Sequence, residues 1–294
     1  MSVSKQKVAL IGANGMLATA IKNLAPADYL IQCYDLPDFD LTSCEQVFAL
    51  QVDPPNMIIN CAAFTNVDGC ESQPEVAMRV NGEGPGLLAE LAKKIDAVLV
   101  HISTDFVFDG SKTMPYLEED SPCPLSVYGK SKLVGEQQIL QSGLEKYFLV
   151  RTSWLYGAGG NNFVETIIRL AKERVELNIV DDQRGTPTWS EDLAKSIFAL
   201  LLTNKYGIYH YSNAGECSWF DFASEIVAHV RTQQNVKVKT VHPIPTEDYP
   251  LPAVRPKYSV MSKEKIRQLT GLVTPTWQES LKNYLNQRLV KEDI

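Results

Sequence analysis

The chain has 294 residues, and 45% of them are hydrophobic, enough to bury a full core without disulfides or a structural metal. A net charge of -7 excludes broad binding to nucleic acid or to an anionic membrane, because phosphate-rich partners would be repelled on average. The six cysteines are scattered with no C-x-x-C pair and the four histidines lack H-E-x-x-H spacing, so neither a disulfide frame nor a metal site is expected and each cysteine reads as a small reduced residue.

The N-terminus runs from Met1 through Lys7 straight into a short apolar stretch, Val8 to Ile11, with no signal-like segment and nothing long enough to span a bilayer; this predicts a cytoplasmic protein. Apolar runs at Val8 to Ile11, Leu30 to Tyr34, Met57 to Asn60, Val98 to Ile102 and Phe148 to Val150 have the continuous hydrophobicity of strands buried on both faces. Between them, helical patterns cover Met16 to Leu24, Cys44 to Gln51, Pro74 to Lys94 and Tyr128 to Gln141. Repeated βαβ units of this kind predict an α/β fold, a Rossmann-type doubly wound parallel sheet. Past residue 150 the pattern loosens into Gly- and Pro-rich loops around Gly157 to Asn162, Arg184 to Thr188 and Pro243 to Pro256. Helical periodicity persists at Phe163 to Lys172, Glu191 to Leu202, Trp219 to Val230 and Trp277 to Leu289. The expected division is a dinucleotide-binding domain over residues 1–155, to which some later segments return, and a mainly substrate-binding region over 156–294.

Strand Val8 to Ile11 leads into Gly12-Ala13-Asn14-Gly15-Met16-Leu17-Ala18 and then a helix, the setting of a phosphate-binding turn. The spacing is G-x-x-G-x-x-A, a pattern that a plain strand-to-helix turn also produces. Asp35 adds weight: it ends the second strand twenty residues past Gly15, where a carboxylate accepts hydrogen bonds from the adenosine ribose. No Arg or Lys lies between Asp35 and Asp40 to neutralise a 2′-phosphate, so NADH is expected to be preferred to NADPH.

After the fourth strand comes Ser103-Thr104-Asp105-Phe106-Val107-Phe108, and Val127-Tyr128-Gly129-Lys130-Ser131-Lys132 opens a helix. Y-x-x-x-K places Tyr128 and Lys132 one turn apart on one face. Hydride addition to a carbonyl leaves an alkoxide that needs a proton, which Tyr128 can give. A nearby Lys132 ammonium is expected to bring the phenol's pKa down toward working pH. Thr104 is placed to polarise the carbonyl. A lone Tyr and Lys pair at this spacing is usually a surface contact, whereas glycine turn, Asp35, Thr104 and Y-x-x-x-K in this chain order suit one α/β enzyme.

At this point the chain resembles the extended short-chain dehydrogenase/reductases and, among them, the dTDP-4-dehydrorhamnose reductase family. The residues that carry the resemblance are Asn60 to Asp68 (NCAAFTNVD), Ser103 to Phe108, Val127 to Leu133, Arg151 to Tyr156 (RTSWLY), Gly160 to Val164, Asp182 to Thr188 (DQRGTPT) and Gly207 to His210. The resemblance implies cofactor contacts from Gly12, Gly15, Met16 and Leu17 to the pyrophosphate, Asp35 to the ribose, and Asp40 and Leu41 to the adenine. Ala63, Phe64, Thr65 and Ile102 would follow along the dinucleotide, with Tyr128 and Lys132 at the nicotinamide ribose. Sugar contacts would fall on Thr104, Asp105 and Trp154, with Asn162 as a further candidate and Arg184 pairing with the substrate diphosphate. Phe64 and Phe106 stand where family members often carry Tyr or His, and Tyr258 stands where Asn usually precedes Ser259. The implied activity is reduction, by NADH or NADPH, of the C4 keto group of dTDP-4-dehydro-L-rhamnose in carbohydrate biosynthesis, by a protein that is often a homodimer. Reduction of another nucleotide 4-ketosugar, epimerisation on the same fold, and a non-catalytic role such as the regulatory subunit of methionine adenosyltransferase remain alternatives at this level.

Overall fold

The computed structural model describes residues 5–290. Its central feature is a six-stranded parallel sheet built from β1 (Gln6–Ile11), β2 (Tyr29–Tyr34), β3 (Met57–Asn60), β4 (Val98–Thr104), β5 (Tyr147–Thr152) and a sixth strand, Gly207–His210. The spatial order is Gly207–His210, β5, β4, β3, β1, β2. Strand β1 shows why these runs are continuously apolar. Its side chains alternate between two hydrophobic layers: Val8 and Leu10 pack with Ala18 and Ile21 of α1 (Met16–Leu24), while Ala9 and Ile11 pack with Leu88 and Leu91 of helix Gly84–Lys94. Burying each side chain of Leu or Ile size contributes roughly 1.5–3 kcal/mol.

The chain turns outward from β1 to β2, then crosses back to lay β3 on the other side of β1. The order of strands therefore reverses between β1 and β3, and the crevice beyond their carboxyl ends is where such sheets bind ligands.

A second cluster lies apart from the sheet. Tyr156, Ile168, Trp189, Phe222, Ile226, Trp277 and Leu285 pack together from helices Phe163–Glu173, Trp219–Arg231 and Trp277–Val290 and the paired short strands Leu155–Tyr156 and Thr188–Trp189. Helix Trp219–Arg231 begins at a reciprocal cap, in which Ser218 Oγ accepts from Asp221 N and Asp221 Oδ2 accepts from Ser218 N, each at 3.0 Å. Parallel strands Glu176–Val180 and Thr240–Ile244 flank these helices, so the second half is less purely helical than its sequence predicts. Leu193, Ile197, Tyr209 and Ile266 from this half pack into the sheet's own core.

The single helix expected over Pro74 to Lys94 is three pieces: Pro74–Ala77, a π-helical turn Met78–Glu83, and Gly84–Lys94. The wider turn points Asn81 inward, where its Oδ1 accepts from Phe64 N (2.8 Å) and its Nδ2 donates to Ser131 Oγ (3.1 Å). A further short helix, Val67–Ser72, precedes it; its six residues carry no visible helical period.

Candidate active site

A cleft of about 650 Å³ opens at the carboxyl ends of β1, β3, β4 and β5. Its floor is the β1-to-α1 turn. Gly12 has φ +76°, and a Cβ there would lie 2.5 Å from Ala62 N, so only glycine lets the turn sit against the β3 segment. Gly15 then caps α1 with no side-chain acceptor, and no acidic residue occupies the helix's first turn, which leaves the backbone N–H groups of Met16 and Leu17 and the positive end of the helix dipole open to an anion. Asp35 sits beside this turn, accepting from Asn14 N and Leu36 N at 2.8 Å each. The opposite wall is made by Asp40, Leu41, Ala63, Thr65 and Ile102. Asp40 spends its carboxylate on the Thr42 amide and hydroxyl (2.8 Å each), and those bonds hold its pKa below the usual range.

The reactive end is formed by β4 and helix Val127–Gln141. Thr104, Asp105, Tyr128 and Lys132 all line it and all are buried or nearly so. Ser126 starts the helix by accepting from Gly129 N (3.1 Å), and Gly129 fits because any Cβ there would fall 2.2 Å from the Phe106 carbonyl oxygen. This close approach brings the Tyr128 ring edge-on to Phe106, 5.5 Å between centroids. Thr104 Oγ1 donates to Asp105 Oδ1 (3.0 Å) and lies next to the Tyr128 phenol. Lys132 Nζ donates to the Ile102 carbonyl at 2.7 Å.

The electrostatics depart from the sequence expectation at one point. Burial raises the Tyr128 pKa above its ordinary value, the Asp105 carboxylate raises it further, and Thr104 opposes this by hydrogen bonding. Lys132 does not draw it down in this arrangement, because burial also pushes the lysine down to about 8 and its nitrogen is engaged by Ile102. Asp105, buried, is pushed up to about 6.

These residues fit a dinucleotide and a polar second substrate. The turn offers bare backbone at Gly12 and an open helix end. Among the described residues, none makes a well-formed hydrogen bond to the buried Thr152 Oγ1 or to Asp105 Oδ2, whose neighbour is the Ser259 side chain; both residues line the cleft and await partners.

Residues 6–290 match the model of the RmlD substrate binding domain family. The chain belongs to that family. A dTDP-4-dehydrorhamnose reductase of Burkholderia thailandensis is 38% identical over 286 residues, covering 92% of this chain and 95% of the relative. The crystal structure of a dTDP-4-dehydrorhamnose reductase from Clostridium acetobutylicum superposes with a TM-score of 0.91 at 43% identity, covering 96% of this chain and 99% of the other. That of the Bacillus anthracis dTDP-4-dehydrorhamnose reductase, solved in complex with NADP, does so with a TM-score of 0.91 at 42% identity over the same shares. An α/β fold with a parallel central sheet is thereby common to the family members and to this chain.

Most residues singled out in the sequence converge on the cleft, and three do not. Phe64 lies off the cleft wall, with its backbone N–H and carbonyl both held by Asn81. Asn162 caps helix Phe163–Glu173 through Glu165 N (3.1 Å) and donates to the Gly157 carbonyl (2.9 Å), leaving its neighbour Asn161 on the lining. Arg184 pairs with Glu216 at 3.0 Å, half-exposed, and Tyr258 reaches the same Glu216 at 3.4 Å. Trp154 does line the mouth, at φ +46°, stacked on Trp219 with centroids 3.5 Å apart. Gly185 permits this pose, since a Cβ there would be 2.5 Å from the indole.

Sequence reasoning missed Trp219 and Arg255 on this lining. Trp219 reads as one more apolar position of a helix, and Arg255 as part of a Pro-rich loop. Arg255 is anchored by Asp68 (2.8 and 3.1 Å), 187 residues away in sequence, which no local pattern reveals. Among the described residues no group of three or more His, Cys, Asp or Glu is placed to hold a metal, all six cysteines are free, and no helix is long and apolar enough to cross a membrane.

Proposed function

We propose that this protein reduces the C4 keto group of dTDP-4-dehydro-L-rhamnose to dTDP-L-rhamnose with a nicotinamide dinucleotide. The observation that carries the reading is the convergence of Thr104, Tyr128 and Lys132 at one end of the cleft whose other end is the Gly12–Leu17 turn. Family membership and relatives of that name along nearly the whole chain support it.

The dinucleotide, when bound, supplies the hydride. The chain supplies the rest. The open end of α1 holds the pyrophosphate, and Asp35 accepts from the adenosine ribose. Thr104 Oγ1 turns from Asp105 to the substrate oxygen and orients it. Tyr128 Oη gives its proton to that oxygen as negative charge develops there, a contribution of roughly 10²–10⁴ in rate. Lys132 Nζ, already fixed by Ile102, offers its remaining donors to the nicotinamide ribose and to the phenolate that Tyr128 leaves. Asp105 Oδ2 accepts from a sugar hydroxyl, and the stacked Trp154 and Trp219 form an aromatic wall that excludes water and packs against the sugar. Arg255, held by Asp68, offers a guanidinium at the same mouth for the substrate diphosphate; Arg184, tied to Glu216, is the outlying candidate for that part.

The preferred reductant is NADH. Asp35 would face a 2′-phosphate with like charge, and its carboxylate is fixed by two backbone N–H groups. The charge of Arg79 reaches Asp40, and Lys22 Nζ is spent on the Ala13 carbonyl at 2.7 Å. The NADP seen in the Bacillus anthracis relative belongs to that protein. Comparing kcat/KM for the two reductants gives at least about tenfold in favour of NADH, the equivalent of one unfavourable charge contact worth about 1.4 kcal/mol; equal values or an NADPH preference would remove this part of the proposal. The function itself is tested by supplying the purified protein with dTDP-4-dehydro-L-rhamnose and NADH. Loss of NADH absorbance matched by dTDP-L-rhamnose is the expected result, and turnover without net NADH consumption would favour an epimerase.

A further inference from the structure

Behind Lys132 stands a chain of buried side chains that the reaction above leaves unused. Asn60 at the end of β3 and His101 in β4 are each 1% exposed. Asn60 Oδ1 accepts from Ala62 N at 3.1 Å, which turns its Nδ2 toward His101 Nδ1, 3.0 Å away. With an amide donor at Nδ1, a neutral imidazole must carry its proton on Nε2. The ring is neutral: burial and the neighbouring Lys132 push its pKa well below the ordinary value. Nε2 lies 3.3 Å from Lys132 Nζ, which donates on its other side to Ile102.

An imidazole N–H that faces an ammonium sets donor against donor, whereas one that faces an amine lone pair makes a hydrogen bond. The remaining groups around Nζ do not reverse this. Cys61 on β3 is a neutral thiol, its pKa pushed up to about 12 by burial. Glu136, on the lysine's own helix, favours the ammonium by its charge but less than burial opposes it; both its oxygens are engaged by Arg151 of β5 (2.9 and 2.7 Å), and Ser103 of β4 donates to one of them.

We propose that His101 is a positioning residue: oriented by Asn60, it fixes Lys132 Nζ against the Ile102 carbonyl and weakens that nitrogen's hold on its proton until the hydroxyls of a dinucleotide face it. Above about pH 8, where Nζ has lost its proton in the free protein, binding takes up one proton from solvent and restores the ammonium that meets the ribose. The inference rests on the proposed reductase reading only in taking Lys132 as the residue that meets the cofactor. It makes dinucleotide binding proton-linked.

The test is the affinity for NADH as a function of pH, read by fluorescence with no sugar present, in the unmodified protein and in His101→Gln. Glutamine can turn its carbonyl oxygen to Lys132 and accept from an ammonium. In the unmodified protein affinity falls about fivefold between pH 8 and pH 9, as the proton that binding requires is lost from the free protein. In His101→Gln that fall moves up by about one pH unit. A purely structural role for His101 would change affinity at every pH alike, and such a parallel change would overturn the proposal. Nitrogen-15 NMR of the histidine rings in the unmodified protein gives a second reading that needs neither a variant nor NADH. A neutral ring protonated on Nε2 for His101 supports the proposal, and protonation on Nδ1 overturns it. A protein that binds NADH with this pH dependence yet reduces no ketosugar would refute the reductase reading and leave the role of His101 intact.

Discussion

Replacing Gly12 with alanine probes the phosphate turn at its tightest point. At φ +76° an L-residue costs about 1–2 kcal/mol relative to glycine. The added Cβ would also stand 2.5 Å from Ala62 N and 2.7 Å from Ala62 Cα, backbone atoms with no rotamer to escape into, and such overpacking costs about 1–3 kcal/mol more. The sum, about 2–5 kcal/mol, lowers Tm by about 3–8 °C in a chain of this size. Because relief requires β3's exit and the turn to separate, NADH affinity falls with it. Gly271→Ala is the matched control: φ is +68° but the space around it is open, so only the conformational cost remains. Scanning calorimetry and an NADH titration on both variants decide the matter. A Gly12→Ala protein that melts with the Gly271→Ala protein and binds NADH normally would refute the close-approach argument.

Tyr128→Phe keeps the ring contact with Phe106 and removes only the hydroxyl, so kcat falls by roughly 10²–10⁴ while NADH affinity and Tm change little; steady-state kinetics beside a binding titration would show otherwise if another group gives the proton. Asp105 is expected to make stability pH-dependent. Its folded pKa, about 6, lies above the unfolded value, so the stability it contributes is fully present below about pH 4 and is lost as pH rises through 6. Asp105→Asn therefore raises Tm at pH 7.5, by an amount on the order of 2–3 kcal/mol in stability, and the gain vanishes near pH 4; a gain independent of pH would contradict the assignment.

The sheet was legible in the sequence because its strands are buried on both faces: Val8 to Ile11 and Met57 to Asn60 leave an unbroken apolar signal whatever surrounds them. The glycine turn and the Tyr128 and Lys132 pair were legible because their spacing is itself the geometry. What escaped depended on distant partners. The helix over Pro74 to Lys94 breaks at Met78–Glu83 because Asn81 is drawn to Phe64 and Ser131, and a tertiary hydrogen bond overrides local periodicity there. Arg255 reaches the cleft through Asp68, and Trp219 through its stack on Trp154, neither of which has a sequence signature. Asn162 and Arg184 belong to motifs whose residues here perform a structural task, a helix cap and an ion pair, beside the cleft. The direction of the Tyr128 pKa shift is not legible from spacing, which reports proximity to Lys132 and says nothing of burial, the largest influence on both groups.

The central claim is a hydride delivered to C4 of the sugar and a proton delivered to its oxygen by the protein. Reduction of dTDP-4-dehydro-L-rhamnose with NADH deuterated at the transferring position, followed by NMR of the product, tests it directly. The account predicts one deuterium at C4 of the rhamnose for each NADH oxidised; deuterium at another carbon, or a product with only solvent hydrogen at C4, would contradict it.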